Sequence, residues 1–123
     1  MYLFVYGTLK SNFDNEVAQY LHANAKLIGA GSVFGRLYLL GWYPGYCQDD
    51  EGYEIKGEIF KVTKNIDRLL AKLDDYEGVD SGEYRRVLRP VWCGMQQYEC
   101  WIYETLIQSE IELKTGEFLA LSN

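Results

Sequence analysis

Two stretches of this sequence combine residues that could do chemistry. One is the glycine turn at residues 6–10, which follows bulky β-favouring residues, and the other is the group of carboxylates Asp74, Asp75 and Glu77 before Gly78. Carboxylates can transfer protons, but at a helix C-terminus they face the negative end of the dipole, which costs up to about 1 kcal/mol each. Departures from local rules concentrate at functional sites, so the acidic helix end is a candidate site. Taken singly, either stretch is also compatible with a purely structural turn or helix cap.

Other kinds of catalytic site lack the residues they need. His22 is the only histidine and lies beside Leu21 on an amphipathic segment, so we interpret it as a surface or core-edge residue. No H-x-x-H, clustered Cys/His or calcium-loop spacing occurs, and we predict no metal site. No G-x-x-x-x-G-K phosphate loop is present either. Cys47, Cys93 and Cys100 include no C-x-x-C pair, which favours reduced, buried thiols.

The glycine turn is expected to lie between a strand and a helix. Residues 2–6 are β-favouring and stop at Gly7, so they are predicted to form a strand that enters a loop. Apolar side chains then recur at helical spacing over residues 14–24, with Asn12 or Asp14 as the possible N-cap.

The acidic stretch is expected at the end of the clearest helix in the sequence. This helix is predicted to begin after Thr63, as its N-cap, and to end at Gly78, which accepts the left-handed conformation without a Cβ penalty. Its apolar face, at positions i, i+3, i+4 and i+7, consists of Ile66, Leu69, Leu70 and Leu73.

The rest of the chain is predicted to be mostly β-strand. Residues 25–48 contain short β-favouring pieces at 32–34 and 36–40, and the glycines between them suit bulges and bends of a curved sheet or barrel. Residues 43–45 are predicted to form a turn and residues 49–52 a hairpin connection. Further strands are expected at 53–59, 83–92 and 98–103, the last two as an antiparallel hairpin around Gly94, and the tail from 106 to 123 is expected to be held by Ile111, Leu113, Phe118 and Leu119.

Length and charge limit the possible classes of function. The 123 residues fit one domain, residues 1–123, because a second core would need about a hundred more. A net charge of −6 argues against nucleic acid, and the basic residues Arg85, Arg86 and Arg89 would be divided between two faces of a strand. No apolar run approaches the ~20 residues that cross a bilayer, and the N-terminus begins as a strand rather than a signal segment. We therefore expect no membrane partner and a cytoplasmic location.

Three motifs become informative in combination. They are Tyr6-Gly7-Thr8-Leu9-Lys10, Leu73-Asp74-x-x-Glu77-Gly78 and Tyr84-x-Arg86. In this order and at this spacing, the sequence resembles the gamma-glutamylcyclotransferase-like family, and in particular its gamma-glutamylamine cyclotransferase type with the YGTLK motif. The resemblance weakens after about residue 104, and the further blocks that match are Tyr43-Pro44-Gly45, Ile55-x-Gly57-Glu58-Ile59-Phe60 and Trp101-Ile102-Tyr103.

The resemblance implies a fold and a reaction. The fold is α+β, a small mixed β-barrel with two or more flanking helices. In the family reaction, the free α-amine of a gamma-glutamyl group attacks its own γ-carbonyl, which closes 5-oxoproline and expels the attached amine. No cofactor is implied, and the implied partner is a small gamma-glutamyl amine, amino acid or peptide.

The resemblance also implies roles for particular residues. Glu77 matches the catalytic glutamate, which would move both protons from a partly desolvated pocket that raises its pKa, with Asp74 and Asp75 as neighbours that could raise it further. Arg86 could bind a substrate carboxylate or form an ion pair with Asp75 or Glu77, and we favour the ion pair. The implied substrate-binding residues are Tyr6, Gly7, Thr8 and Leu9, through backbone N–H groups, together with Tyr84 and Tyr103, for which a packing role is nearly as well supported.

Two other classes of function remain open from the sequence. A non-catalytic domain of the same fold could bind a small carboxylate, although a buried Glu77 would not help an anion binder. An interaction module would instead expose a large apolar patch and lack an enclosed pocket. The identity of the leaving amine and the oligomeric state are also open.

Overall fold

The computed structural model describes residues 1–119, and within them it contains six strands and two helices. The strands are β1 (Tyr2–Val5), β2 (Ala25–Leu40), β3 (Tyr43–Cys47), β4 (Tyr53–Val62), β5 (Tyr84–Cys93) and β6 (Gln96–Thr105). The helices are α1 (Glu16–Asn24) and α2 (Ile66–Glu77). Neither helix has the length and apolar character needed to cross a membrane.

Five of the strands close into a small mixed barrel. The ring runs β1–β4–β2–β3–β6 and returns to β1; β6 is parallel to β1 and β3, and the other pairs are antiparallel. β5 extends this sheet as the antiparallel partner of β6, which confirms the predicted hairpin, and it reaches β2 at the Ser32–Trp92 pair. The predicted α+β barrel with flanking helices is therefore confirmed.

The segment predicted as short strand pieces is one long strand. β2 has 16 residues, and a register shift against β4 between Leu27 and Gly29 marks a bulge. A Cβ on Gly31 would lie 2.9 Å from Ile59 Cδ1, and a Cβ on Gly35 would collide with the carbonyl oxygen of Cys47. The glycines therefore let a continuous strand curve around a narrow barrel rather than ending it.

Two predicted connections differ from the structure. Residues 43–45 belong to β3 and pair with β2, and the turn lies just before them at Gly41, whose φ is 80°. Residues 49–52 do form a turn, closed by a 3.0 Å hydrogen bond from Gly52 N to Asp49 O. It is not a hairpin, because β3 and β4 both pair with β2, on its opposite sides.

The core has two parts, one on each face of β1. Leu3 and Val5 face the helices, whereas Phe4 and Tyr6 point into the barrel. The helix-side cluster includes Leu21 from α1 and, from α2, the fully buried Leu69 and Leu73. The barrel interior also contains Val33, Leu37, Tyr46, Ile55, Ile59, Val91, Cys100, Ile102 and Phe118.

The N-cap of the first helix lies one residue after Asp14 and three residues after Asn12, the two predicted caps. Asn15, rather than Asn12 or Asp14, is the N-cap of α1, and its Oδ1 accepts a 2.9 Å hydrogen bond from the N–H of Ala18. The Asn15 side chain also donates to the carbonyl of Thr8 at 2.7 Å. The cap therefore connects α1 directly to the glycine turn.

The second helix begins at a residue that its sequence pattern did not indicate. Asn65, not Thr63, precedes α2, with a left-handed φ of 55°, and its Nδ2 donates to Asn24 Oδ1 at 2.8 Å. This hydrogen bond links the start of α2 to the end of α1. The predicted end at Gly78 is confirmed, because Gly78 has φ 71° and its N–H caps the last turn.

The tail is held by two of its four predicted residues. Leu113 and Phe118 pack against the barrel interior, and the Lys10 ammonium donates to the Phe118 carbonyl at 2.7 Å. Ile111 and Leu119 are exposed instead. The last part of the predicted tail, residues 120–123, lies outside the described residues.

The remaining packing predictions have mixed outcomes. His22 lies at the core edge as expected, with Nε2 2.9 Å from the Leu9 carbonyl oxygen and its ring stacked on Phe60. All three cysteines are free thiols. Only Cys100 is buried, so the prediction of buried packing is wrong for Cys47 and Cys93, which are half-buried.

Candidate active site

The glycine turn and the acidic helix end meet at one cavity. Its volume is about 220 Å³, and it lies between the end of β1, the start of β3 and the end of α2. The lining contains every residue predicted to act in the site. The full set is Phe4, Val5, Tyr6, Gly7, Thr8, Leu9, Trp42, Tyr43, Pro44, Tyr76, Glu77, Glu83, Tyr84 and Tyr103.

Glu77 is the last residue of α2 and is partly buried against the cavity. Burial of its carboxyl group, together with the negative charge of nearby Glu83, raises the pKa of Glu77 to about 7. The expectation that Asp74 and Asp75 raise this pKa is not met, since the neighbouring charge that acts on it is Glu83. A carboxyl group with this pKa can accept and return a proton near neutral pH.

Asp74 is committed to a polar network beside the cavity. Its Oδ1 accepts hydrogen bonds from Arg86 Nε at 2.9 Å and from the Tyr103 hydroxyl at 2.6 Å. Burial opposes ionisation, but these hydrogen bonds outweigh it and lower the pKa of Asp74 below its ordinary value. The partner predicted for Arg86 was therefore wrong: the ion pair forms with Asp74, not with Asp75 or Glu77.

The glycine turn has free backbone N–H groups, whereas the side chain of Tyr6 has a structural role. The Tyr6 hydroxyl donates to the Tyr103 carbonyl at 2.6 Å and accepts from the N–H of Tyr46 at 2.9 Å, so it ties β1 to β3 and β6. Among the hydrogen bonds of residues 1–119, none is donated by the N–H groups of residues 7–9. Unpaired amides beside a cavity are suited to hold a carboxylate or a carbonyl oxygen.

Gly7 is required by a neighbouring side chain. A Cβ at this position would lie 2.8 Å from Pro44 Cγ and 3.2 Å from Pro44 Cδ. The close approach that the glycine allows in this structure is therefore the packing of the turn on β3. Thr8 next to it forms a 2.8 Å hydrogen bond with the Tyr76 hydroxyl, which connects the turn to α2.

The hydroxyl groups of Tyr84 and Tyr103 have protein acceptors for their protons. Tyr84 donates to the Pro44 carbonyl at 2.7 Å, and Tyr103 donates to Asp74. Burial first, and nearby negative charge second, raise the pKa of Tyr84, so its phenol is neutral at ordinary pH. Both oxygens keep a lone pair, so toward a ligand they can act as hydrogen-bond acceptors rather than as donors.

Replacing Tyr103 with phenylalanine should test the structural part of this network. We expect Tyr103→Phe to lower the free energy of unfolding by about 1–2 kcal/mol, because a half-buried carboxylate loses one hydrogen-bond donor and keeps Arg86. Urea unfolding would measure the change. Tyr98→Phe is the matched control, since the Tyr98 hydroxyl bonds only to the exposed Gln96 side chain, and an equal loss in both variants would contradict the assignment.

Four residues that line the cavity were not named as site residues from the sequence. Glu83 carries the second carboxylate, Trp42 and Tyr43 form an aromatic edge, and Tyr76 bonds to the turn. Tyr76 and Glu83 lie within seven residues of Glu77 in the sequence, so their proximity to the acidic helix end was the available signal. Trp42 gave no such signal, because β-barrel closure alone brings β3 to this place.

These features define a small α+β barrel protein whose cavity is lined both by Glu77 and by residues with unpaired backbone amides. The chain belongs to the gamma-glutamyl cyclotransferase, AIG2-like family, whose model matches residues 3–120.

Individual relatives agree with this family. A protein of Arabidopsis thaliana named "Putative gamma-glutamylcyclotransferase At3g02910" is 33% identical over 94 residues, which are 68% of this chain and 47% of that protein. This chain thus spans about half the length of that relative.

Solved structures show the same fold. YkqA from Bacillus subtilis has a TM-score of 0.74 at 24% identity, over 95% of this chain and 39% of its own. An aig2-like protein from Mus musculus has a TM-score of 0.73 at 24% identity, over 95% of this chain and 86% of its own.

Proposed function

We propose that this chain is a gamma-glutamyl cyclotransferase that releases 5-oxoproline from a small gamma-glutamyl compound. The observation that carries the proposal is the position of Glu77, whose carboxyl group has a pKa of about 7 and shares a cavity with the unpaired amides of residues 7–9. A proton carrier and a site for an anionic oxygen are the two groups that intramolecular aminolysis needs.

The reaction needs no further reactant. Glu77, ionised, takes one proton from the substrate's α-ammonium, and the resulting amine nitrogen bonds to the γ-carbonyl carbon. Glu77 passes this first proton to the departing nitrogen, and the bond between that nitrogen and the γ-carbon then breaks. Ionised again, Glu77 takes the second proton from the attacking nitrogen and passes it to the released amine. The products are 5-oxoproline and a protonated amine, so atoms and charge balance. Because ring closure is intramolecular, holding the substrate folded supplies much of the acceleration.

Each end of the substrate has a complementary group in the cavity. The amides of Gly7, Thr8 and Leu9 would hold the α-carboxylate or the developing oxyanion. The phenol oxygens of Tyr84 and Tyr103 already donate their protons to the protein, and they would accept hydrogen bonds from the α-ammonium. In this assignment the two tyrosines would contact the substrate as hydrogen-bond acceptors.

Incubation of the purified protein with a panel of gamma-glutamyl amines, amino acids and peptides tests the proposal. The assay measures 5-oxoproline and the released amine in equal amounts. A small-carboxylate-binding domain of the same fold is the alternative, and it would show ligand-dependent thermal stabilisation without product. The cavity itself argues against an interaction module that lacks an enclosed pocket.

The pH dependence of turnover provides a separate prediction. Glu77 must be ionised to accept the first proton, and its pKa is about 7, so kcat/KM should rise with pH through about 7 and then level. An unperturbed glutamate would place this rise near ~4.3. Initial rates of 5-oxoproline release between about pH 5 and about pH 9 would measure the profile. A rise centred near the unperturbed value would contradict the assigned base.

A further inference from the structure

Two carbonyl groups of the glycine turn are hydrogen-bonded to side chains at the first helix. The Thr8 carbonyl accepts a 2.7 Å hydrogen bond from Nδ2 of Asn15, the N-cap of α1. The Leu9 carbonyl oxygen lies 2.9 Å from Nε2 of His22, within α1. A carbonyl oxygen can only accept, so Nε2 of His22 carries a proton in this contact. The first helix therefore holds two consecutive peptide groups of the turn.

The two ends of the Asn15 side chain have different tasks. Its Oδ1 accepts the 2.9 Å hydrogen bond from the N–H of Ala18, and this bond caps the helix. Since a backbone N–H can only donate, the atom it contacts is the oxygen, and the nitrogen must face Thr8. Aspartate and serine cap helices about as well as asparagine but have no NH2 group. Either of them would keep the cap and lose the contact with the turn.

A held carbonyl sets the direction of the N–H group that follows it. The peptide group is planar and trans, so its C=O and N–H bonds point in opposite directions. The Thr8 carbonyl is directed at Asn15, and the N–H of Leu9 therefore points away from this side chain. The Gly7 carbonyl accepts from the N–H of Lys10 at 3.2 Å, which orients the N–H of Thr8 in the same way.

His22 holds the peptide group that closes the turn. This peptide group carries the Leu9 carbonyl at one end and the Lys10 N–H at the other. The His22 ring is itself fixed, because it stacks on the buried Phe60 with the ring centroids 5.4 Å apart. Without His22, the peptide group could rotate and release the Gly7 carbonyl.

The first helix supports the turn from outside the cavity. Thr8 and Leu9 line the cavity, whereas none of the described residues of α1 does so. The N–H groups assigned above to substrate oxygens thus depend on side chains that do not reach the substrate. Donors that stabilise a developing charge are effective when their positions are fixed before the reaction.

We propose that Asn15 and His22 are positioning residues of the reaction. They act by holding the carbonyls of Thr8 and Leu9, which keeps the unpaired N–H groups of the turn directed at the substrate. This inference rests on the proposed cyclotransferase function and adds to it two residues outside the cavity.

Exchange of His22 separates its hydrogen bond from its packing. His22→Gln keeps an N–H donor at a similar reach and loses the ring, whereas His22→Phe keeps a ring to stack on Phe60 and loses the donor. We expect kcat/KM for 5-oxoproline release to fall by about 10-fold in His22→Phe, and by no more than about 3-fold in His22→Gln. A role in packing alone predicts the opposite order, with the phenylalanine variant more active than the glutamine variant.

Exchange of Asn15 provides a second test that keeps the helix cap. Asn15→Asp and the uncharged Asn15→Ser should each lower kcat/KM by about 10-fold. Gln19→Glu is the matched control, because it also replaces an amide donor by a carboxylate at α1, and its partner is the Asp14 carbonyl outside the turn. It should stay within about 2-fold of wild type. Urea unfolding would give the folded fraction of each variant, and rates would be compared per folded molecule.

The outcomes distinguish the inference from the function on which it rests. Wild-type release of 5-oxoproline together with His22→Phe at least as active as His22→Gln would overturn the role of His22. Asn15 variants no less active than Gln19→Glu would overturn the role of Asn15, including in the case that the His22 variants do not fold. In both cases the proposed function would stand. If the wild type releases no 5-oxoproline from any compound of the panel, the proposed function fails and the inference fails with it.

Discussion

Glu77→Gln is expected to reduce kcat for 5-oxoproline release by about 10³-fold. The amide is nearly isosteric with the carboxylate but can neither take a proton from an ammonium nor return one to a departing nitrogen, and positioned proton transfer contributes about 10²–10⁴-fold. Substrate binding should change little, because the binding groups assigned to the α-carboxylate and the α-ammonium lie on other residues. Steady-state rates on the best substrate of the panel would measure both parameters.

The free energy of unfolding of Glu77→Gln, measured relative to that of the wild type, should increase as pH rises. In the folded protein the pKa of Glu77 is about 7, raised from 4.5, so between these values the folded state holds a proton that the unfolded chain has lost. Wild-type stability therefore falls as pH increases through this window, by about 3 kcal/mol in total for this group, whereas the glutamine side chain of the variant does not titrate. Between about pH 5 and about pH 8, the free energy of unfolding of the variant should therefore rise relative to that of the wild type.

This combination separates lost chemistry from lost structure. An inactive variant whose relative thermal stability improves with pH would identify Glu77 as a buried, functional carboxylate. Full activity in Glu77→Gln would show that Glu77 is not the acid/base. Loss of activity together with the same destabilisation at every pH would indicate a structural defect instead.

Gly7→Ala is expected to lower kcat/KM by about 10²-fold. The new methyl group would lie 2.8 Å from Pro44 Cγ, so the turn must move away from β3 and carry the amides of residues 7–9 with it. Displacements on the order of 1 Å in a catalytic arrangement can cost about 10²-fold in rate. Most of the loss should appear in turnover, because the transition state depends most strongly on the position of these donors.

Pro44→Ala provides the rescue. It removes the Cγ and Cδ atoms that the new methyl would meet, so the double variant Gly7→Ala/Pro44→Ala should recover a substantial part of the activity lost in Gly7→Ala alone. Pro44→Ala by itself measures the cost of losing that side chain from the cavity wall. Additive losses in the double variant would show that the glycine is needed for another reason, such as direct approach to the substrate.

The parts of the fold that depend only on residues close together in the sequence were predictable from it. The apolar spacing of Leu69 and Leu73 and the glycine at 78 specify the body and the end of α2, because a 3.6-residue period and a left-handed cap are local properties. Its start was not predictable in this way. Asn65 adopts a left-handed conformation while its side chain bonds to Asn24 on α1, and that contact exists only after the helices pack.

The β-strands also divide into features that the local sequence predicts and features that depend on tertiary contacts. Alternation in β4 indicates its buried face directly, since the strand period is two. The glycines of β2 and residues 43–45, by contrast, have local signals typical of breaks and turns. Barrel closure overrides those signals, because pairing on both sides of β2 supplies hydrogen bonds along its whole length.

For the candidate site, the residue types were evident without coordinates: a glutamate at a helix end, a glycine turn after the first strand, and two tyrosines on later strands. What each of them faces depends on the folded arrangement. Tyr6 is bonded to the barrel, Arg86 pairs with Asp74, and Glu83 becomes the charge next to Glu77. Hydrogen bonds and Coulomb interactions act between groups a few ångströms apart in space, and distance along the chain does not reveal which groups those are.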